Sequence, residues 1–176
     1  MSSKDPEHHP NSSNPKESDI LKRLSQEVGY IPESTDRPSR CRAIVFNPDG
    51  TKVLGILRQR PGREPYVVYP GGGVDDEDQS AMAAVRRELS EELGLSDDDV
   101  YLNGRVLSFD DEVGHDQFYY LGQAVEEFKG LTIHGPEAKR DYAVSGTYNP
   151  MWIDVSDIEN ANFQPSEISR IIIEHR

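Results

Sequence analysis

A single cysteine, Cys41, leaves no partner for an internal disulfide and no thiolate cage for zinc. Nowhere does an apolar run approach the length of a membrane span, and the first thirty residues hold no hydrophobic stretch of the kind an export signal needs. Basic residues are scarce: 19 Lys and Arg stand against 32 Asp and Glu, a formal charge of −13. A surface this acidic repels a phosphate backbone, and no Lys/Arg stripe offsets it, so a polynucleotide partner is not expected. Small phosphate ligands remain open, because a bound divalent cation reverses the local field. These absences predict a soluble, cytoplasmic chain with no membrane and no polynucleotide partner. Hydrophobic residues make up only 35% of the 176, but part of that shortage is concentrated in one tail.

Residues 1–16 are Ser, Asn, Pro, His and charge. With nothing to bury they cannot offset their ordering entropy, and a disordered tail is expected, with His8 and His9 as solvated side chains. Residues 17–39 read as a short helix and linker: Ile20, Leu21, Leu24 and Val28 recur at helical spacing, Ser18 is placed as N-cap, and Pro32 and Pro38 bracket the linker. The domain is expected to span 40–176. Arg42–Asn47 and Lys52–Leu57 read as strands joined by the Asn47-Pro48-Asp49-Gly50 turn, and Tyr66–Tyr69 as a third strand that ends in the Pro70–Gly73 loop. Ser80–Leu93 is a run of strong helix formers stopped by Gly94. Strands near 100–109 and 117–125, a long irregular loop over 129–148, a strand at 151–153 and a closing helix from Pro165 complete the chain. Strands on both sides of one central helix predict an α/β fold, a mixed sheet packed between helices.

The chemistry concentrates between Gly71 and Leu95. With Glu88 at zero on a helical wheel of about 100° per residue, Glu91 falls near about −60° and Glu92 near about +40°. Val85, Leu89, Met82 and Leu93 fall at about +60° to +140°, an apolar stripe that can face a core. Ala81 and Ala84 lie on the acidic arc one turn earlier, small enough to leave room for a ligand. A solvated acidic face is the ordinary reading of such a run. Two features oppose it: the acids crowd the helix C-terminus, where the dipole disfavours anions, and a triple glycine that lets backbone approach a ligand precedes the helix. A hard cation such as Mg²⁺ relieves both.

Arg87-Glu88-Leu89-Ser90-Glu91-Glu92-Leu93-Gly94-Leu95 resembles, without a miss, the second half of the Nudix hydrolase signature G-x5-E-x7-R-E-U-x-E-E-x-G-U, with U a bulky aliphatic residue. Gly73 stands at the leading glycine, and Gln79 occupies the place of the first Glu. A second register puts Gly72 at the glycine and Asp78 at the Glu, with one residue inserted before the helix; there Asp78 or Glu77 pairs with Arg87 or Arg86. The sequence leaves both registers open. The resemblance implies a Nudix-type α-β-α sandwich and metal-dependent hydrolysis of the pyrophosphate linkage in a small nucleotide. It implies Mg²⁺ or Mn²⁺ held by Glu88, Glu91, Glu92 and the Gly72 carbonyl, with Arg87 orienting the acids. The general base is left among Glu88, Glu91, Glu112, Glu126 and Glu137, the last in a loop where relatives can present a catalytic acid.

By the same resemblance, Arg58 and Arg60, at i and i+2 before the glycine loop, hold substrate phosphate together with Gly73. A base-stacking ring is sought among Tyr66, Tyr69, Phe118, Tyr119 and Trp152, although aromatics in strands more often serve a core. Asp110-Asp111-Glu112 carries neither the Pro nor the Tyr that marks two family subtypes, which leaves nucleoside triphosphates or nucleoside diphosphate derivatives by elimination. The alternative is a non-catalytic Nudix-fold sensor of nucleotides or metabolites; retention of all three helix acids favours the enzyme. A homodimer is left open.

Overall fold

Apolar residues three and four apart give a helix one sticky face, and the first element uses it fully. The computed structural model describes residues 15–30 and 38–176. In it α1 spans Asp19–Glu27, with Leu21 and Leu24 fully buried. The expected tail lies almost wholly outside the described residues, as do the His8–His9 pair and most of the linker. Ser18 sits at the N-cap as expected but makes no capping bond; its backbone N–H donates to Gln123 Oε1 (3.0 Å). Gln123, itself buried, donates from Nε2 to the Asn47 carbonyl (2.5 Å). One amide thus ties the start of α1 to the turn after the second strand.

The described strands are β1 (Gly29–Tyr30), β2 (Arg40–Phe46), β3 (Lys52–Gln59), β4 (Tyr66–Val68), β5 (Gly71–Gly73), β6 (Val100–Asp110), β7 (Asp116–Ala124) and β8 (Thr147–Asp154). They form one mixed sheet in the order β1-β6-β7-β2-β3-β4, with β5 on β2 and β8 on β3. Only β2 and β7 run parallel, from Arg40↔Gln117 to Phe46↔Gln123. Strand alternation sends Cys41, Ala43 and Val45 to one face and Ile44 and Phe46 to the other. Helix α2 (Ala81–Leu93) covers the first face; α1 and α4 (Ser166–His175) cover the second. The expected sandwich of mixed sheet between helices is what the chain forms.

Three local expectations change. The sequence reading starts the domain at Arg40, yet α1 shares its core with Ile44, Phe46, Tyr69 and α4. Pro70–Gly73 is not a loop: Gly71, Gly72 and Gly73 pair with Arg42, Cys41 and Arg40. Gly71, at φ 146°, lies so close to the Cys41 carbonyl that any Cβ would strike it, so the strand exists only because it is glycine. Within 129–148, a 3-10 turn at Gly135–Lys139 and a helical turn, α3 (Tyr142–Ser145), organise what reads as irregular loop, and β8 begins at Thr147. These elements are short, and no apolar period announces them.

Because α1 is core, Leu24→Ala should cost about 2–5 kcal/mol in urea unfolding, the range for emptying a buried leucine site. A chain cut to 40–176 should lose cooperative unfolding, whereas one starting at Glu17 should keep it. Equal stability of all three would place α1 outside the cooperative unit.

Candidate active site

Helix α2 is fixed at both ends by its own sequence. Ser80 Oγ accepts the Ala83 N–H (3.0 Å), and Gly94, at φ 69°, turns the chain so that its N–H reaches the Ser90 carbonyl (2.9 Å) and that of Leu95 the Leu89 carbonyl (3.1 Å). The wheel positions then set the environment of each acid. Glu92, beside the apolar stripe, is 7% exposed; the Glu88 side chain is 18% exposed, and that of Glu91, farthest round, 54%. Ala81 and Ala84 are not open to a ligand, contrary to expectation: both are buried against the sheet with Val85 and Leu89.

Arg87 is the hub. Its Nε and Nη2 donate to the two oxygens of Asp78 (both 2.9 Å), Nη2 also to the Gly73 carbonyl (3.0 Å), and Nη1 to Glu88 Oε1 (3.1 Å) and Glu91 Oε2 (3.3 Å). Asp78 is buried and also accepts the Asp75 N–H (2.8 Å), while Gln79 is exposed. Of the two registers, the contacts favour Asp78. Glu77 is exposed, and Arg86 faces Asp97 at 3.6 Å instead. A bidentate guanidinium–carboxylate pair fixes both geometry and charge, and the Asp78 bonds hold the Arg87 pKa far above its ordinary range.

The glycine strand closes over the acids. Gly71 N–H donates to Glu92 Oε2 (3.2 Å), and a Cβ on Gly72 would sit 2.5 Å from Glu88 Oε1. Glycine at 72 is therefore what allows backbone to lie against that carboxylate. Burial pushes the Glu92 carboxyl up to about 7, against the Gly71 bond and Arg42, with Glu88 and Glu137 adding repulsion. Glu88 is also raised, first by burial, against Arg87.

Of the later acids, Glu137 is brought in. The His134 N–H donates to the Glu92 carbonyl (2.8 Å), and Gly135, at φ 74°, lies against the Glu91 carbonyl, so the 3-10 turn docks on the end of α2. The charge of Glu137 is felt at both Glu88 and Glu92. Glu112 lies elsewhere, on the rim of a cavity of about 580 Å³ that Arg42, Arg63, Tyr119 and Gln164 also line. Glu126 flanks Leu93–Leu95 beyond the end of α2.

Arg42 is the residue that sequence reasoning missed. It donates to the Tyr69 carbonyl (2.8 Å), faces the cavity and bears on Glu92. The signal was present in β2, where period-two alternation sets Arg42 on the face of buried Ile44 and Phe46. Arg58 is half-buried, with Nη2 on the Ser145 carbonyl (2.8 Å) and Nε on that of Thr147 (3.3 Å); Arg60 is exposed just past β3. Among the aromatics, Tyr69 and Tyr119 are buried edge to face in the core (5.8 Å), and Tyr119 also borders the cavity.

Among the described residues no group of three or more His, Cys, Asp or Glu is gathered as a ready metal cage; Arg87 holds Glu88 and Glu91. The donor chemistry nevertheless fits a hard divalent cation: carboxylates whose charge is disfavoured by burial and mutual repulsion, beside glycine backbone that comes close to them.

A family model described as NUDIX domain matches residues 36–171, and the chain belongs to that family, pyrophosphohydrolases of nucleotide derivatives that generally use divalent metal ions. No curated protein matches the sequence. In fold the chain is similar to a MutT from work on Aliivibrio salmonicida and Vibrio cholerae (21% identity, 80% of this chain and 100% of that one, TM-score 0.53). It is similar also to a C. elegans Ap4A hydrolase (14%, 77% and 93%, 0.57) and to the E. coli dihydroneopterin triphosphate pyrophosphohydrolase (14%, 78% and 94%, 0.54).

Glu92 makes a signed pH prediction. A carboxyl whose pKa is raised on folding contributes stability in full below its ordinary 4.5 and loses it as pH rises through about 7. That displacement is worth roughly 3 kcal/mol. In chelator, urea unfolding should show stability falling from pH 4.5 to 8 in the wild type and a flatter profile in Glu92→Gln. Parallel profiles would contradict the burial account.

Proposed function

We propose that the protein hydrolyses the pyrophosphate linkage of a small nucleotide, a nucleoside triphosphate or a nucleoside diphosphate derivative, with Mg²⁺ or Mn²⁺. The observation that carries this is a glycine strand laid against the helix acids: Gly72 leaves no room for a side chain beside the Glu88 carboxylate, Gly71 N–H donates to Glu92, and Arg87 ties Glu91 to Glu88. Glu88, Glu91, Glu92 and the Gly72 carbonyl would hold the cation, which when bound neutralises phosphate charge and lowers the pKa of water.

The chain's own groups supply the rest. Arg87, pinned by Asp78, keeps Glu88 and Glu91 turned towards the glycine strand. Glu137 is the general base in this reading: its 3-10 turn docks on the end of α2 through His134 and Gly135, which brings it to the helix acids. Arg60 and the Gly73 backbone, both exposed, are the groups offered to substrate phosphate. The net charge of −13 makes a free nucleotide, met by the cation, a better fit than a polynucleotide.

Phosphate release from a panel of nucleotides, in Mg²⁺ and in EDTA, tests this. Turnover should vanish in EDTA and fall about a hundredfold or more in Glu91→Gln, the scale of losing charge stabilisation at a reacting phosphate. Nucleotide binding without turnover in any metal would favour the sensor instead.

A further inference from the structure

Arg58 was expected at substrate phosphate, but the structure spends its guanidinium on the loop that carries Glu137. Nη2 and Nε donate to the Ser145 and Thr147 carbonyls, on either side of Gly146, and the guanidinium carbon lies 3.7 Å from the centroid of the Tyr148 ring. The Tyr148 hydroxyl accepts from Arg140 Nη1 (3.1 Å), and Arg140 Nη2 pairs with Glu137 Oε1 at 3.8 Å. Gly146, at φ 74°, presses so closely on the Gln59 carbonyl that no side chain fits there. The loop is thus moored at both ends: to α2 through His134 and Gly135, and to β3 through the start of the β8 ladder, Gln59↔Thr147 and Arg58↔Tyr148, which the Arg58 side chain and Gly146 reinforce.

We propose that Arg58 is a positioning residue for Glu137, fastening its loop at the edge of the β8 ladder, and not a phosphate ligand. The proposal rests on the reading of Glu137 as the base of a nucleotide hydrolase. Two carbonyls and a ring face are matched by a planar fork; an ammonium can take one carbonyl but cannot span both and stack. Lysine therefore separates the two roles, since a phosphate contact survives Arg→Lys in part and the mooring does not.

The experiment compares full-length wild type, Arg58→Lys, Arg58→Ala and Tyr148→Phe. Its readouts are steady-state hydrolysis of the best panel nucleotide in Mg²⁺, affinity for a non-hydrolysable analogue, and hydrogen exchange at the Ser145 and Gly146 amides, bonded to Asp141 and Tyr142. Both Arg58 variants should lose about tenfold or more in kcat, with KM and analogue affinity within about twofold, the signature of an interaction made only in the transition state. Both should show at least about tenfold faster loop exchange, and Tyr148→Phe a smaller change in the same direction. Raised KM, weakened analogue binding, rescue by lysine and unchanged exchange would overturn the proposal in favour of phosphate contact. If Arg58→Ala does not fold, Arg58→Lys and Tyr148→Phe carry the comparison. If the wild type turns over no nucleotide, the hydrolase reading fails by itself, and exchange alone decides the mooring: unchanged exchange in Arg58→Lys overturns it.

Discussion

Everything at this site hangs on one guanidinium. Arg87 meets Asp78 with two parallel bonds, reaches the Gly73 carbonyl from the same side, and turns its remaining nitrogen to Glu88 and Glu91. Three segments that otherwise repel or ignore each other, the turn before α2, the glycine strand and the acidic arc, are held in one frame. The frame is possible because Asp78 is buried and also receives the Asp75 N–H, so its carboxylate cannot swing away. Arginine suits this place because its planar fork serves several acceptors at fixed angles, which a lysine cannot do.

The arrangement stores electrostatic cost. Glu92 is drawn under the sheet by its place beside the apolar stripe, and burial raises its pKa to about 7. Glu88 and Glu137 add like charge, and Arg87 and Arg42 offset only part of it. A protein free to optimise stability would not keep these acids together at a helix C-terminus. A divalent cation turns the same repulsion into affinity, which ties the strain to the proposed chemistry. The fold supplies the surroundings: β5 brings backbone to the acids, and the 3-10 turn brings Glu137 from a distant part of the chain.

Much of this was legible in the sequence, and for physical reasons. Helix α2 has a cap, a stop and clean periodicity, so its limits and its acidic arc could be read directly; the wheel even orders the exposure of Glu92, Glu88 and Glu91. Long-range pairing could not be read. Nothing local says that Asp78 rather than Gln79 meets Arg87, that a glycine run pairs as a strand, or that Arg42 faces a cavity. The partners of Arg58 are out of reach for the same reason: Ser145 and Thr147 lie nearly ninety residues on, and a motif shows only the strand in which it starts. Helix α1 stands apart in the sequence because the proline-bracketed linker after it resembles a boundary, whereas burial of its apolar face joins it to the core.

If the Asp78–Arg87 pair holds the helix acids ready for a divalent cation, breaking the pair must weaken that cation's binding. Mn²⁺ titration followed by electron paramagnetic resonance, on the wild type, Asp78→Asn and Gln79→Glu, tests it most directly. Saturable binding is expected in the wild type, with about tenfold or greater weakening in Asp78→Asn, as a charge-assisted bond is lost, and little change in Gln79→Glu. Equal Mn²⁺ affinity in wild type and Asp78→Asn would contradict it.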